Sequence, residues 1–378
     1  MKIAILETIV SSGHEVEFDR GLVKELKNKG HEPCFFVPED FEFKADYDTP
    51  VEYLQGGPAI TYRKAGFIKK IILSVTREYR RIRWFNSALE IAKKNSYDCI
   101  FIPTATPRYL KTLLRSKITR YTIPFFVNIH VFSFEKKGRL EQFLSLAKKL
   151  EKYNNVFLTI CSPNHLLKDT PNTEYIDPPF YEPSLITPKG DYDGHELIRI
   201  GLYGFYREDD NIKKLLKIFS IADFKVPVKL IMQTVTENDK DQLSCEKVVE
   251  EYKSNSRFEF TDRRFYGKEW QEAISNVDVI LAPYSSIHYY YTYSAMCFNA
   301  LGFKKPVILA PNVNPTVIEK FKVGLTLNFD DEAALKSDLE KFINNFKEDY
   351  PTYLSEINKA AQVYNYSNFT RLFETKRK

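Results

Sequence analysis

Short runs of consecutive apolar residues alternate along the chain with longer stretches in which apolar positions recur every three or four residues. Lys2–Leu6 reads as a buried strand. Phe18–Lys29 reads as a helix with Phe18, Leu22, Val23 and Leu26 on one face and a stop at Gly30. Cys34–Val37 (closed by Pro38), Cys99–Ile102, Phe125–Ile129 and Val156–Ile160 read as further strands, with a long helical stretch from about Phe67 to Lys94. The second half repeats the scheme, with strands at Ile198–Tyr203, Val228–Gln233, Phe258–Thr261, Val279–Ala282 and Val307–Leu309. Helical patterns at Asn211–Ile221, Lys268–Ser275 and Ser294–Leu301 lie between them. Strands separated by helices imply βαβ crossovers and parallel sheets covered on both faces. The stretch from Asp177-Pro178-Pro179 to Gly194 reads as an interdomain linker, and the Pro351 region as separating the second sheet from a final helical tail. Two open α/β domains facing each other place a ligand in the cleft, at the carboxyl ends of the strands.

Composition narrows this picture. The 378 residues suit two domains at roughly 100–200 residues each. With 43% hydrophobic and 28% charged residues the chain is globular, and a net charge of +5 is too mild for a dedicated nucleic-acid binder. No apolar run approaches the roughly 18 residues that span a bilayer. Met1–Glu7 is too short and too acidic for a secretory signal, so a cytoplasmic chain is expected. Five scattered cysteines without a CxxC pair argue against a disulfide framework or a zinc site. The 15% aromatic content fills a core or lines a sugar site.

Two loops stand out for chemistry. Ser11-Ser12-Gly13-His14-Glu15 follows the first strand and leads into a helix, where main-chain N–H groups can meet an anion. It is neither GxGxxG nor a P-loop, which removes the best support for nicotinamide or ATP chemistry. In the second half, Leu281-Ala282-Pro283-Tyr284 ends a strand. Tyr293-Ser294-Ala295-Met296 opens a helix with Ser294 as an N-cap candidate, and Asn299 to Gly302-Phe303-Lys304-Lys305-Pro306-Val307-Ile308 leads into the next strand. Free N–H groups in that first helical turn suit a diphosphate.

This stretch resembles the donor domain of a GT-B glycosyltransferase, nearest to glycosyltransferase family 4 and its relatives, where a Glu-Ala-Met-Ala-like helix start precedes Gly-Lys-Pro-Val-Ile. Ile200-Gly201-Leu202-Tyr203-Gly204-Phe205-Tyr206-Arg207 and Phe321–Gly324 fit the first and last strands of that domain. Gly30-His31-Glu32, Phe126–His130, Ile160-Cys161-Ser162, Asp177–Phe180 and Tyr364–Phe373 resemble further family segments in the family's order. The resemblance implies an α/β fold of two Rossmann-like open parallel-sheet domains facing a cleft, with a C-terminal helix crossing back to the first. It divides the chain into an acceptor domain over residues 1–186, a nucleotide-sugar domain over 187–362 and a terminal helix over 363–378.

By the same resemblance, His130 and Arg207, with His14, are the catalytic candidates. Gly204, Tyr266, Gly267, Tyr284, Tyr293, Ser294, Ala295 and Asn299 would line the donor side, and Ser12, Gly13 and His14 the acceptor side. Two positions depart from the pattern. Asn299 stands where the family has a donor-site Glu, and about Asp210 where it has a diphosphate-binding Lys, which leaves Arg207 as the natural substitute. Each candidate also has an ordinary reading, as a strand-end histidine, a surface arginine or packing aromatics.

The function implied is transfer of a sugar from a nucleotide sugar, UDP- or GDP-linked, to a hydroxyl on a glycan, lipid-linked or protein acceptor, with no further cofactor. The alternatives are a non-catalytic relative and a nucleotide-sugar epimerase of the same fold. Asp191-Tyr192-Asp193 matches the metal-binding Asp-x-Asp pattern only by chance, since it sits in a linker rather than at a strand end, and no metal is expected. Arg63–Arg83 holds eight basic residues against Glu78 alone, about +7, with apolar residues at helical spacing. It reads either as a core-packed helix with a solvated basic face or as a peripheral contact with an anionic membrane.

Overall fold

The computed structural model describes residues 1–8, 14–41, 47–60, 66–130, 133–161 and 172–376. The chain forms two compact units, 1–177 with 366–378, and 178–365. In the first, β1 (Lys2–Leu6), β2 (Glu32–Val37), β3 (Val51–Tyr53), β4 (Cys99–Ala105), β5 (Phe125–Ile129), β6 (Val156–Ile160) and β7 (Thr173–Tyr175) form one sheet. Its order is β3-β2-β1-β4-β5-β6-β7, parallel throughout. In the second, β8 (Ile198–Leu202), β9 (Val228–Gln233), β10 (Phe258–Thr261), β11 (Val279–Ala282), β12 (Val307–Leu309) and β13 (Gly324–Thr326) pair in the order β10-β9-β8-β11-β12-β13, again all parallel. Both sheets reverse direction of growth beside their first strand, which is the doubly wound pattern whose ligands sit outside the strand ends at the reversal point.

The continuous apolar strands are those buried on both faces. Every residue of β4, β5 and β11 is buried. The abundant aromatics go mainly into cores, with Trp84, Phe101, Phe125, Phe126 and Phe143 among the fully buried side chains. The last helix, Ser367–Lys376, belongs to the first unit. Its Phe373 packs on Phe101 and Phe126 at ring-centroid distances of 5.0 and 4.9 Å, and Ser367 donates to Glu25 at 2.8 Å.

The structure adds detail to two readings and changes a third. The Pro/Gly-rich stretch after Asp177 is strapped along the second unit. Ser184 and Leu185 N–H both donate to Oε1 of buried Gln271 at 3.0 and 2.8 Å, Lys189 N–H to Ser275 Oγ at 2.8 Å and Tyr192 N–H to the Tyr350 hydroxyl at 3.0 Å. Gly302 permits this packing: a Cβ there would lie 2.2 Å from the Tyr181 carbonyl oxygen. Pro351 lies inside the helix Phe346–Ala361, between the second sheet and the final helix, flanked by the buried anchors Tyr350 and Tyr353. In the helix Phe67–Lys94 the core-packed reading fails for the first three turns, where Ile68, Ile71, Ile72, Val75 and Tyr79 are exposed; burial begins around Arg81 and Trp84. An apolar stripe at helical spacing looks the same in a sequence whether it faces a core or solvent.

Candidate functional site

In the second unit Gly204, Arg207 and Tyr284 lie at the reversal point, beyond the carboxyl ends of β8 and β11. After β8 the chain turns through Gly204, whose φ of +109° suits glycine and whose N–H donates to Gln233 Oε1 at 2.8 Å. Gln233, ending β9, donates in turn to the Arg263 carbonyl at 2.7 Å. The loop then meets the helix Asp210–Ile221, capped by Asp209, which accepts from Asn211 N–H at 2.9 Å. The second oxygen of Asp209 accepts from both the N–H and the hydroxyl of Ser285, each at 2.9 Å, and so joins the loops after β8 and β11.

Arg207 lies between these two ends of the loop. Its side chain is 65% exposed, with one long contact of 3.5 Å to Glu237 among the described residues, and is therefore open to a ligand. Beside it Tyr284 and Tyr289 stack at 4.8 Å. Burial raises the Tyr284 hydroxyl well above its ordinary range while the Arg207 charge pulls it down, and the same two opposed effects act on Tyr289. An exposed guanidinium in the same loop cluster as two aromatic side chains suits an anionic group.

The helix Ala295–Gly302 starts after β11. Ser294 occupies the N-cap position, but its side chain makes no cap bond; instead its N–H is held by Asn314 Oδ1 at 2.9 Å. Asn314 sits in the left-handed region, at φ 46°, just before Pro315. Buried Asn299 accepts from Trp270 Nε1 at 3.3 Å and donates to the Ala295 carbonyl at 2.9 Å. Tyr293 is buried, with its hydroxyl 2.9 Å from that of Tyr181. Tyr266 caps the helix Gly267–Ser275 by position and is 41% exposed.

In the first unit the equivalent reversal point lies between β1 and β4. Buried Glu7 accepts from Thr104 Oγ1, and Thr8 Oγ1 lies 2.7 Å from the Tyr109 hydroxyl. His130 directly follows β5; its N–H donates to the Ala105 carbonyl at 2.9 Å, and its buried ring meets Phe18 edge-on at 5.3 Å. His14 opens the helix His14–Asn28, with its side chain outside the described residues, as are Ser12 and Gly13.

No protein-family model matches the chain, and no curated protein matches its sequence. Solved structures match over essentially the whole length. HepE from Anabaena, in complex with UDP and glucose, gives a TM-score of 0.65 at 13% identity, covering 99% of each chain. A glycosyltransferase from Rickettsia africae gives 0.64 at 12%, covering 100% of this chain and 98% of that one. WaaB, a lipopolysaccharide outer core galactosyltransferase, gives 0.63 at 13%, covering 100% of both. These neighbours are GT-B glycosyltransferases. The chain has the GT-B fold.

Within this GT-B frame, Gly204, Arg207 and Tyr284 come together at one reversal point, joined by Asp209 and Ser285, which sequence reasoning did not single out. The Asp209-Asp210-Asn211 run did carry a signal, since an Asp before a helical pattern is a preferred N-cap. Asn314 was also signalled by the turn-forming Asn-Pro pair. Tyr293 and Asn299 are instead tied into buried packing. Asp193 of the Asp-x-Asp pattern is committed to His195, accepting from its N–H at 3.1 Å and lying 2.6 Å from Nδ1.

Proposed function

We propose that the protein transfers a sugar from a nucleoside-diphosphate sugar to a hydroxyl acceptor, with the nucleotide on the second unit and a glycan, lipid-linked or protein acceptor on the first. The observation that carries this reading is the exposed Arg207 guanidinium at the β8–β11 reversal point, set between the Asp209–Ser285 clasp and the Tyr284–Tyr289 stack. HepE's complexes with UDP and UDP-glucose make UDP the first nucleotide to test, ahead of GDP. All five cysteines are free and buried, which suits a reducing cytoplasm.

Catalysis then consists of stabilising the charge that grows on the leaving diphosphate, through Arg207 and the unpaired N–H groups of the helix that starts at Ala295. With retention of configuration, as in family 4, the leaving phosphate accepts the acceptor's proton. With inversion a side chain must take it, and Glu7, His14 and His130 are the groups to substitute first.

Asp210 and Asn299 favour a second reading, a relative that has lost donor chemistry, because the family's charged pair is replaced by an exposed helix-start acid and a buried amide already bonded to Trp270. A thermal-shift series with UDP and GDP conjugates, followed by turnover of the best binder, separates the two. Stabilisation and turnover, both lost in Arg207→Ala, support transfer. The absence of both in the intact protein supports the inactive relative.

A further inference from the structure

A groove of about 640 Å³ runs between the helices Asp210–Ile221 and Asp239–Tyr252 of the second unit. Both helices cross between neighbouring parallel strands, β8 to β9 and β9 to β10, and so lie side by side in the same direction. Lys213, Lys214 and Lys217 line the groove from the first helix and Lys240 and Lys247 from the second, against two acids, Glu208 and Glu251. Its floor is apolar. Val248 and Tyr252 are buried there, and Leu243, 62% exposed, stands between Lys240 and Lys247 on the helix face. None of the residues assigned to the nucleotide lines it.

The walls are fixed, and their lysines already hold a carboxylate. Glu208 N–H donates to Asp241 Oδ1 at 2.9 Å and the Tyr206 hydroxyl lies 3.0 Å from Ser244 Oγ, so the second helix is tied to the loop that opens the first. At that end Lys213 donates to Glu208 from one wall at 2.7 Å, and Lys240 lies 2.9 Å from it on the other. Lysines of both helices thus converge on one acid. Lys217 is paired with Glu332 at 2.8 Å, and Lys214 donates to the Phe329 carbonyl at 2.9 Å. Exposed pairs of this kind are loosely held and exchange readily for another carboxylate. Lys247, farther along the groove, is exposed.

The spread of charge and the apolar floor together select the occupant. Lys240 and Lys247 are seven residues apart, about 10 Å along the helix, which is too far for one phosphate to bridge. A flat bilayer does not reach a floor sunk between two helices, and a nucleic-acid backbone leaves Leu243 unmatched. A helical segment with acids two turns apart and apolar residues between them repeats the Lys240-Leu243-Lys247 spacing with opposite charge. That is recognition of an amphipathic helix in a groove. We infer that this groove docks an acidic, amphipathic helical segment of a partner protein. Its carboxylates lie on the lysines and its apolar side chains on Leu243, Val248 and Tyr252. The docking does not depend on the glycosyltransfer reading.

The test is fluorescence anisotropy of the full chain with a labelled Glu/Leu/Ala helical peptide of about four turns, its acids at the Lys240–Lys247 spacing. Saturable binding that weakens with salt is expected. The same peptide with Gln for Glu, or with Ser for Leu, should bind at least about tenfold more weakly. Lys247→Glu and Leu243→Ser should each weaken the Glu/Leu peptide by a similar factor, at unchanged melting temperature and unchanged UDP affinity. Excess UDP should not displace the peptide. No saturable binding overturns the inference, as does equal binding by the two variants or by the Gln peptide. Displacement by UDP would put the peptide at Arg207 and also overturn it. So would a wild-type dimer in light scattering that Leu243→Ser dissolves, since a second copy would then fill the groove.

Discussion

Asp209 accepts hydrogen bonds from both the main-chain N–H and the side-chain hydroxyl of Ser285, each at 2.9 Å, while its other oxygen caps the helix Asp210–Ile221. One carboxylate thus fixes the two loops that border the reversal point of the second sheet. Asp209→Ala should destabilise the protein by about 1 kcal/mol through the lost cap and somewhat more through the lost clasp. Asp209→Asn keeps a capping oxygen and should recover part of this. Urea-denaturation midpoints check the order wild type, Asn, Ala; equal midpoints for all three would contradict it.

Arg207 is expected to act on the ligand and not on the fold. Its side chain is 65% exposed and, among the described residues, its one ion-pair contact is the 3.5 Å contact to Glu237. Arg207→Ala should leave the melting temperature unchanged and weaken UDP binding by roughly ten- to a hundredfold, the loss of one charge-assisted hydrogen bond. Calorimetric titration measures it. Arg207→Lys should fall between the two, because an ammonium keeps the charge without the fork.

The elements that carry the site were legible because they are buried on both faces or strongly periodic. Seven strands, from Lys2–Leu6 to Val307–Leu309, and the helix Phe67–Lys94 appear with the bounds their patterns predict. The three-residue edge strands β3 and β7 are too short to carry a pattern, and the helix Asp239–Tyr252 is half charged with few buried positions. Gly204 and Arg207 could be proposed from a motif. The Asp209–Ser285 clasp could not, since it joins residues 76 apart that only the sheet order brings together. His130 was placed correctly at a strand end, but its edge-on packing with Phe18 depends on a helix the sequence does not align with it.

Gly302 tests the strap. A Cβ at this position would press on the Tyr181 main chain at 2.2 Å, and rigid backbone has little room to yield. Gly302→Ala should lower stability by roughly 1–3 kcal/mol, the usual cost of overpacking. Gly190→Ala is the control, since a Cβ there meets nothing within 4 Å. Thermal unfolding of the two variants should differ clearly, and equal melting temperatures would mean that the strap does not bear on this helix.

His195 gives the second unit a pH dependence. Burial opposes its charged form, but Asp193 at 2.6 Å and Asp278 at 3.1 Å outweigh that and raise its pKa. A raised pKa in the folded state means the protonated ring stabilises the fold. That contribution is full below the unfolded value of about 6.5 and is lost as pH rises through the folded value. Melting temperature should therefore fall across that window, and His195→Gln should flatten the fall. The same slope in both proteins would contradict the assignment.

The central claim, that a nucleoside diphosphate is held at the β8–β11 reversal point, is tested most directly by a crystal structure of the protein grown with UDP. The diphosphate should lie within hydrogen-bond reach of the Arg207 guanidinium and of N–H groups in the first turn of the helix Ala295–Gly302. UDP bound elsewhere, with Arg207 still turned to Glu237, would contradict the account.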